Sequence, residues 1–432
     1  MHLGTFPDTL NPDEADFTQD ALRILNGAPR ENGLFGFDWT PEPALSIYQM
    51  AAVIRVAGVS IAAARLTSVL FSVAAFIPFY LLARRQARPW VALLATLLLA
   101  TNLWFLNFSR SAWNNVQVSF WLLAATLLFL RAIDELQRRQ RLPALLFAAT
   151  GAACAFGLYG YFAGRAVLFA LLACGPLLLW RVRGSDQRLR LCAGYAVLIG
   201  VAALLFAPEG VYIARHWEGF NSRAGSVLIV SSPEFKADPL GTLSAQVVKN
   251  AVAVWDSGVN NNPRYTPVGE PLLPRLVGLA VLFGMVISLR RAYRKRREID
   301  ATVWWIVLLV GWGTTEVLTR NTPDGARGVA WMPVLLLFAA LGTERVAQWL
   351  DQRPVQVARA GTLGLWAIGL YTGVADVRHY LEWQANPATR ELRQPYVTTA
   401  EFGQWAAEVE ARAQGHRDVL NTGEWRNSHP AT

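Results

Sequence analysis

Long apolar tracts, separated by short polar connections, recur along most of the chain. The hydrocarbon core of a membrane is about 30 Å thick and requires about 20 apolar residues in helical form. Tracts of this length predict ten crossings, at residues 62–83, 90–107, 113–131, 143–161, 164–181, 189–208, 271–291, 301–319, 328–348 and 357–375. The pattern therefore predicts an all-α polytopic membrane protein with about ten transmembrane helices.

The connections between these tracts alternate in positive charge. Every second connection is rich in arginine, and together these hold Arg84, Arg85, Arg88, Arg131, Arg138, Arg139, Arg141, Arg181, Arg183, Arg188, Arg190, Arg290 through Arg297, Arg345, Arg353 and Arg359. The short intervening turns hold only Arg110, Arg165, Arg320 and Arg327. Because positive charge concentrates on the cytoplasmic side, the first set is predicted to be cytoplasmic. Residues 1–60, 209–270 and 377–432 are then external.

Two features near the N-terminus refine this topology. Residues 43–57 are apolar but short, and Arg55 interrupts them, which favours a juxtamembrane helix lying in the outer interface. Its apolar stripe is predicted to comprise Leu45, Tyr48, Ala52 and Val56. The external segment 1–60 has no apolar leader to carry it across the membrane. We therefore expect the native gene to encode a further helix before Met1.

Composition agrees with a membrane protein. Hydrophobic residues make up 53% of the chain and charged residues 16%, and the mean hydropathy is +0.27, all displaced from the soluble average. The net charge of +9 follows from the arginine-rich connections, so no nucleic-acid partner is predicted. Cys154, Cys174 and Cys192 each lie in an apolar tract without metal-ligand spacing, so we expect three buried thiols.

Nucleotide-binding and hydrolase motifs are absent from the sequence, which has no Walker A loop, G-x-S-x-G, H-E-x-x-H or C-x-x-C. The predicted organisation is one transmembrane unit, residues 1–376, followed by a short external segment, 377–432. It leaves no cytoplasmic domain to bind a nucleotide sugar or ATP. Any substrate therefore arrives within the membrane or from outside.

Two external acidic sites are candidates for chemistry. Asn11-Pro12-Asp13-Glu14 opens a predicted helix whose apolar face ends before Gly27. Asp13 is either an N-cap or a carboxylate that takes a proton from an acceptor hydroxyl or binds a divalent cation. Glu42 lies between two prolines at the entry to the juxtamembrane helix, where it either stabilises the helix dipole or reaches the same cavity.

External arginines are the second group of candidates: Arg110, Arg165, Arg264 and Arg327. An arginine at the end of a crossing commonly extends towards lipid headgroups. The external face is otherwise poor in positive charge, so the four guanidinium groups can instead converge on an anionic ligand such as a phosphate. Glu316, near an external helix end, is a lone acidic residue in apolar sequence.

The order of these motifs resembles the GT-C superfamily of lipid-phosphate-sugar glycosyltransferases, especially the bacterial branch related to protein O-mannosyltransferases (glycosyltransferase family 39) and the aminoarabinose transferase of lipid A. The motifs that carry the resemblance are Asn11-Pro12-Asp13-Glu14-Ala15 with Gly27, Glu42-Pro43-Ala44-Leu45-Ser46-Ile47-Tyr48, Gly58-Val59-Ser60 with Ala64-Arg65-Leu66, Phe108-Ser109-Arg110, Tyr161-Phe162-Ala163-Gly164-Arg165, Asn262-Pro263-Arg264-Tyr265, Pro271-Leu272-Leu273-Pro274, and Thr315-Glu316 through Arg327. The resemblance spans nearly the whole chain.

The resemblance implies a GT-C fold and an inverting transfer of sugar from a polyprenyl phosphate to a lipid, glycan or protein acceptor. The family's catalytic carboxylate corresponds to Asp13, with Glu14 beside it and Glu42 as a rival. The leaving phosphate requires positive groups, and the candidates are Arg110, Arg165, Arg264, Tyr265 and Arg327. Some relatives use a divalent metal ion, but this chain shows no clear ligand set. Membrane lipids surround the protein, which is expected in the inner membrane with its active site on the periplasmic or extracellular side.

A transporter or flippase of a lipid-linked sugar is the alternative from another functional class. Such proteins commonly carry buried ionisable residues and inverted repeats with broken helices. The predicted crossings contain few ionisable residues, and no inverted repeat is evident. The sequence therefore favours the enzyme, and transfer of sugar from a radiolabelled lipid carrier separates the two functions.

The predicted topology is tested by labelling cysteines introduced at positions 30, 235 and 415. These positions lie in the three segments predicted to be external, so a membrane-impermeant reagent should label all of them in intact cells. Labelling that requires permeabilised cells would contradict the assignment of sides.

Overall fold

The structure of the protein is a computed structural model, and it describes residues 3–27, 34–35, 44–113, 115–139, 141–182, 184–256, 264–294, 299–392 and 397–398. These residues form helices and one antiparallel pair of two-residue strands. The first half of the chain contains the acidic motif and the first predicted crossings. Its elements are β1 (Thr9–Leu10), α1 (Pro12–Leu25), α2 (Leu45–Ala57), α3 (Ile61–Ala83), α4 (Pro89–Thr101), α5 (Leu103–Ser109), α6 (Asn115–Arg139), α7 (Ala144–Gly160) and α8 (Arg165–Arg181).

The second half continues the helical bundle. A long helix is followed by three shorter ones within the predicted external loop, and then by the last helices and the second strand. These elements are α9 (Ser185–Arg215), α10 (Trp217–Val227), α11 (Pro233–Ala237), α12 (Pro239–Ala253), α13 (Arg275–Arg294), α14 (Ile299–Trp312), α15 (Gly325–Gly328), α16 (Met332–Leu350), α17 (Val355–Ala385), α18 (Pro387–Leu392) and β2 (Val397–Thr398).

The ten apolar tracts all fall on helices, so the prediction of an all-α membrane protein is confirmed. Within the described residues, five helical segments are long and apolar enough to cross a membrane, and a sixth is formed if the bent pair α4–α5 is one span. The five are α3, α6, α8 with the turn before it, α9 and α13. The figure of about ten crossings remains a prediction.

The tract at 90–107 is not one straight helix. It divides into α4 and α5, which meet at an angle of 61°. The break lies at Asn102, whose backbone is extended and whose side chain caps α5 by accepting a hydrogen bond from the Phe105 amide at 3.1 Å. Asparagine competes with the backbone for hydrogen bonds in this way and favours helix starts. Arg110 lies at the C-terminal end of α5, after this bend.

The juxtamembrane helix predicted at 43–57 is present as α2, but its buried face differs from the predicted stripe. Ile47, Met50 and Ile54 are buried, whereas Val56 is 90% exposed. Packing against α1 and α3 selects the first face, and the second remains available to surrounding lipid. The expectation of three buried thiols is wrong for Cys192, which lies on an exposed face of α9, while Cys154 and Cys174 are buried.

Glycines allow the closest helix contacts. A Cβ added at Gly284 of α13 would lie 1.7 Å from the Phe338 carbonyl oxygen of α16, and one added at Gly151 of α7 would lie 2.3 Å from the Leu198 carbonyl oxygen of α9. Neither position tolerates even a methyl group without movement of the backbone. Small residues bring membrane helices together in this way, because dispersion contacts rather than water exclusion hold them.

Two ion-pair clusters close the end of the bundle that is predicted to be cytoplasmic. Arg85, between α3 and α4, bonds to Asp134 of α6 and to Asp300 at the start of α14, at 2.6 and 2.7 Å. Arg88 bonds to Glu344 of α16 and to Asp351 just beyond it, at 3.2 and 2.8 Å. These pairs connect the turn between α3 and α4 to α6, α14 and α16.

The last described segment packs against the first. The predicted boundary at residue 376 falls inside α17, which continues to Ala385. Tyr380 contacts the ring of Phe6 edge-on at 6.3 Å. The strand β2 pairs with β1 through Thr9–Thr398 and Leu10–Val397, so the chain immediately before the acidic motif is held by the chain beyond α17.

Candidate active site

The acidic motif forms the first turn of α1. Asn11 is the N-cap, and its side chain accepts a hydrogen bond from the Glu14 amide at 2.9 Å while the Glu14 carboxylate accepts one from the Asn11 amide at 3.3 Å. This reciprocal arrangement is a capping box. Asp13 therefore is not the N-cap, which corrects one of the two interpretations of that residue. Gly27 ends the helix with a positive φ of 65°, as expected.

Glu14 is held in a buried ion pair. Its Oε1 accepts hydrogen bonds from Arg65 Nε at 3.1 Å and from the Ala112 amide at 2.7 Å. The guanidinium of Arg65 is completely buried and also donates to the carbonyl oxygens of Leu3 and Pro7. A single pair thus connects α1, the start of α3, the turn after α5 and the segment before the motif.

Asp13 faces a group of polar and aromatic side chains centred on Tyr265. Burial raises the pKa of the Tyr265 hydroxyl above its ordinary value, and the negative charges of Asp13 and Asp324 raise it further, while a hydrogen bond from Arg264 lowers it in part. The phenol therefore stays protonated at neutral pH. The charges of Asp13, Asp324 and Arg264 therefore all act on one hydroxyl.

An aromatic cluster packs against the Tyr265 ring. The ring of Tyr265 lies 5.6 Å from those of Phe108 and Trp113, and Trp113 contacts Tyr161 edge-on at 6.0 Å. These rings come from the end of α5, the turn after it, the turn after α7 and the segment before α13. Offset and edge-on contacts of this kind fix ring orientation as well as burying area.

Two of the predicted arginines share one cleft, which we call the arginine cleft. It has a volume of about 450 Å³ and is lined by Pro7, Leu10, Asn11, Glu14, Asn107, Phe108, Arg110, Ser111, Arg264, Tyr265 and Gln384. Arg110 donates a hydrogen bond to the Phe6 carbonyl at 2.9 Å. Since the Glu14 charge is compensated by Arg65, the arginine cleft favours an anion.

Asn107 fixes the backbone of the second arginine. Its side-chain amide donates to the carbonyl oxygens of Arg264 and Tyr265, at 3.4 and 3.0 Å, and its oxygen accepts from Gln384 Nε2 at 2.9 Å. Gln384 belongs to α17 and is 3% exposed. The wall of the arginine cleft is therefore built jointly by α5, the external loop and α17.

The other two arginines, Arg327 and Arg165, do not line the arginine cleft. Arg327 donates to Asp324 at 2.6 Å and to the Arg320 carbonyl at 3.2 Å. The guanidinium of Arg165 lies over the rings of Phe162 and Phe220, at 4.8 and 4.3 Å from their centroids, which is cation–π geometry. The structure thus groups Arg110 with Arg264, places Arg327 beside Asp324, and stacks Arg165 on two phenylalanines.

Some predicted site residues lie outside the described part of the chain. Glu42 is one of them, as are Asn262 and Pro263 of the motif that includes Arg264. Within the described ranges, no group of three or more His, Cys, Asp or Glu side chains is arranged to hold a metal ion. The divalent ion therefore remains an expectation from the resemblance.

Three residues of this site were not predicted to take part in it. Arg65 appeared only as part of a motif, although a lone arginine in an apolar tract is unusual and commonly pairs with an acidic residue. Asp324 and Tyr161 were mentioned as neighbours of arginines. Their convergence depends on three loops meeting, which spacing along the chain does not reveal.

Comparison with known proteins identifies the fold. The sequence profile of the family described as Dolichyl-phosphate-mannose-protein mannosyltransferase matches residues 41–212. The chain is 30% identical over 200 residues to the undecaprenyl phosphate-alpha-4-amino-4-deoxy-L-arabinose arabinosyl transferase of Pseudomonas aeruginosa (strain LESB58). That match covers 45% of this chain and 34% of the relative, so the chain spans about a third of the relative's length.

Solved structures agree over a longer part of the chain. The archaeal oligosaccharyltransferase AglB from Archaeoglobus fulgidus, in complex with an inhibitory peptide and a dolichol-phosphate, superposes with a TM-score of 0.58 at 16% identity, over 97% of this chain and 56% of that one. ArnT from Cupriavidus metallidurans in the apo state gives 0.54 at 14% identity, over 91% and 70%. The chain has the fold of the GT-C superfamily of glycosyltransferases, and the resemblance predicted from its motifs is confirmed.

The buried pair of Glu14 and Arg65 yields a prediction for stability. Arg65→Met should lower the free energy of unfolding by about 3–5 kcal/mol, because it leaves a buried carboxylate without its counter-charge. Thermal unfolding of the purified protein in detergent measures the loss. Glu14→Gln added to Arg65→Met removes the orphaned charge and should recover a large part of it; a double variant no more stable than Arg65→Met would contradict the ion pair.

Proposed function

We propose that the protein is a membrane glycosyltransferase that moves a sugar from a polyprenyl-phosphate carrier to an acceptor hydroxyl, with inversion at the anomeric carbon. The acceptor is a lipid, a glycan or a protein. The reaction takes place on the external face of the inner membrane, at the end of the bundle opposite the arginine-rich connections. The chain is a multi-pass membrane protein, which suits a donor that is itself anchored in lipid.

One observation carries this proposal: a carboxylate and a guanidinium act on the same buried phenol. The negative charge of Asp13 raises the pKa of the Tyr265 hydroxyl, and the positive charge of Arg264 together with its hydrogen bond lowers it. Displacement of a lipid phosphate requires a base for the acceptor proton and positive charge for the leaving group, a few ångströms apart. This group of residues supplies both.

The reaction is a single displacement at the anomeric carbon. The acceptor oxygen forms the new bond to that carbon as its proton passes to the Asp13 carboxylate. The bond between the anomeric carbon and the phosphate oxygen breaks, and its electron pair stays on the phosphate. Arg264 and Arg110, which line the arginine cleft, would stabilise the negative charge that develops there.

Asp13 suits the role of base better than Glu14. The Glu14 carboxylate is 4% exposed and already accepts hydrogen bonds from Arg65, from the Ala112 amide and from the Asn11 amide. With both of its oxygens occupied by these donors, Glu14 is less free than Asp13 to accept a hydrogen bond from an acceptor hydroxyl. We assign Glu14 to positioning: it holds the first turn of α1 so that Asp13 faces the site.

The relatives support the choice of donor. The curated relative is named as a transferase that uses an undecaprenyl phosphate-linked arabinosyl donor. ArnT from Cupriavidus metallidurans is also known bound to undecaprenyl phosphate, with a TM-score of 0.51 to this chain. These similar proteins are transferases, so the flippase alternative is not favoured.

The assignment of the base is tested by Asp13→Asn. Because Asn11 supplies the cap and Glu14 the ion pair, the substitution keeps the shape of the site but removes the proton acceptor. Transfer of sugar from a radiolabelled polyprenyl-phosphate donor should fall by roughly 10²–10⁴-fold, with the unfolding temperature unchanged.

Two variants serve as controls for that experiment. Asp16→Asn makes the same chemical change one turn further along α1 and should leave transfer near normal. Glu14→Gln should lower stability, and a larger loss of turnover there than in Asp13→Asn would move the base by one residue. Near-normal transfer by both Asp13→Asn and Glu14→Gln would remove carboxylate chemistry from the mechanism and revive the flippase.

The arginine cleft gives a second test. Arg110→Gln and Arg264→Gln should each weaken donor binding by on the order of 2–3 kcal/mol, about 30- to 150-fold, through loss of a charged hydrogen bond to phosphate. Arg165→Gln, whose guanidinium is stacked on Phe162 and Phe220, is the matched control and should change binding much less. Equal losses in all three variants would refute this ranking, and normal binding in all of them would refute the phosphate assignment.

A further inference from the structure

A second cleft lies on the other side of the loop that carries Arg327, and we call it the tryptophan cleft. Its empty space, part of which is open to solvent, is about 370 Å³, and three of its walls are the side chains of Trp104, Trp312 and Trp331. Its remaining lining is chiefly apolar, with the exceptions of Asn250, Glu316 and Asp324. Neither the proposed base nor the arginines of the arginine cleft belong to it.

Glu316 contributes one oxygen to structure and leaves the other for a ligand. It lies in a π-helical turn, Gly313–Val317, that follows α14, and it is 2% exposed. Its Oε2 accepts hydrogen bonds from the Thr322 hydroxyl and from the Asp324 amide, each at 2.9 Å. Its Oε1 is buried and has no hydrogen-bond partner among the described residues. A buried oxygen of this kind costs free energy unless something donates to it.

Gly328 keeps this oxygen accessible. A Cβ added there would lie 3.1 Å from Glu316 Oε1 and 2.9 Å from Trp104 Cζ2. Any side chain at this position would therefore cover the oxygen and push against the indole that forms one wall. The absence of a side chain leaves Oε1 at the surface of the tryptophan cleft, bordered by an aromatic ring.

The two clefts are separated by a single short loop. A Cβ added at Gly325 would lie 2.8 Å from Tyr265 Cβ and 3.2 Å from Trp104 Nε1. Gly325 thus fills the space between the residue at the centre of the proposed active site and a wall of the tryptophan cleft. Gly325 therefore adjoins one lining residue of each cleft.

We propose that the tryptophan cleft is the subsite for the glycosyl group of the donor, with Glu316 Oε1 accepting a hydrogen bond from a sugar hydroxyl or amino group. This inference rests on the proposed function. A pyranose ring presents both hydrogen-bond donors at its edge and apolar C–H faces, which match a carboxylate oxygen set among tryptophans. A phosphate oxygen carries no hydrogen to donate to Glu316 Oε1, and an isoprenoid chain would also leave that oxygen without a donor.

The test compares lipids with and without the sugar. The probes are undecaprenyl phosphate and the same lipid carrying a mannosyl or a 4-amino-4-deoxy-arabinosyl group, each titrated into the full chain in lipid nanodiscs. The unmodified protein should bind at least one glycosylated lipid more tightly than the bare lipid. Equal affinity for all three lipids would overturn the proposal.

Glu316→Gln is the decisive variant. The amide oxygen can still accept from Thr322 and Asp324, while the amide NH₂ replaces Oε1 and cannot accept a hydrogen bond. Binding of the preferred glycosylated lipid should weaken by about 10- to 100-fold, because a buried donor of the sugar is left without its acceptor. Binding of undecaprenyl phosphate alone should not change. An equal loss for both lipids, or no loss for either, would overturn the proposal.

Thr322→Val is the matched control, because it loosens the same network while leaving Oε1 in place. It should affect the glycosylated and bare lipids alike. A loss confined to the glycosylated lipid in Thr322→Val as well would mean that Glu316 acts only through the fold of the loop. Because these are binding measurements, failure here differs from failure of the proposed function, which would show as normal turnover by Asp13→Asn.

Discussion

The buried ion pair between Glu14 and Arg65 is the interaction on which the external half of the molecule depends. Removing a carboxylate and a guanidinium from water costs free energy. Their mutual attraction offsets that cost only with good geometry and additional hydrogen bonds. Here the Asn11 and Ala112 amides and two carbonyl oxygens supply those bonds. The pair therefore fixes α1 against α3 in one orientation, and Asp13, one residue from Glu14, inherits that orientation.

The two ends of the bundle are built differently. At the end predicted to be cytoplasmic, Arg85 connects acidic side chains of two helices and Arg88 connects two acidic side chains at the end of α16, and all of these groups except Glu344 are partly exposed. Pairs of that kind contribute little individually, because water screens them. At the end predicted to be external, Glu14, Arg65 and Glu316 are more deeply buried, so each charge has a stronger effect on its neighbours. That difference suits the reactive site proposed there.

Much of the fold could be predicted from the sequence, because apolar length and arginine distribution are local properties that topology converts directly into structure. The break at Asn102 was missed, since an asparagine between apolar runs does not by itself distinguish a bend from a polar residue in a straight helix. The buried face of α2 was also missed. Both of its faces are apolar, so only the positions of α1 and α3 decide that Ile47 and Met50 point inwards.

The candidate site was predictable in its residue types but not in its grouping. One of two interpretations had the four external arginines converge on an anion, yet Arg165 is stacked on Phe162 and Phe220 while Arg264 is fixed through Asn107 by Gln384 of α17. Residues 107, 264 and 384 are far apart along the chain, so no periodicity connects them. The same chain of contacts has a mechanical consequence. Because α17 holds the backbone of Arg264 and β2 holds the strand before the acidic motif, the C-terminal part of the chain fixes the proposed base, Asp13, and the proposed phosphate-binding residue, Arg264, relative to each other.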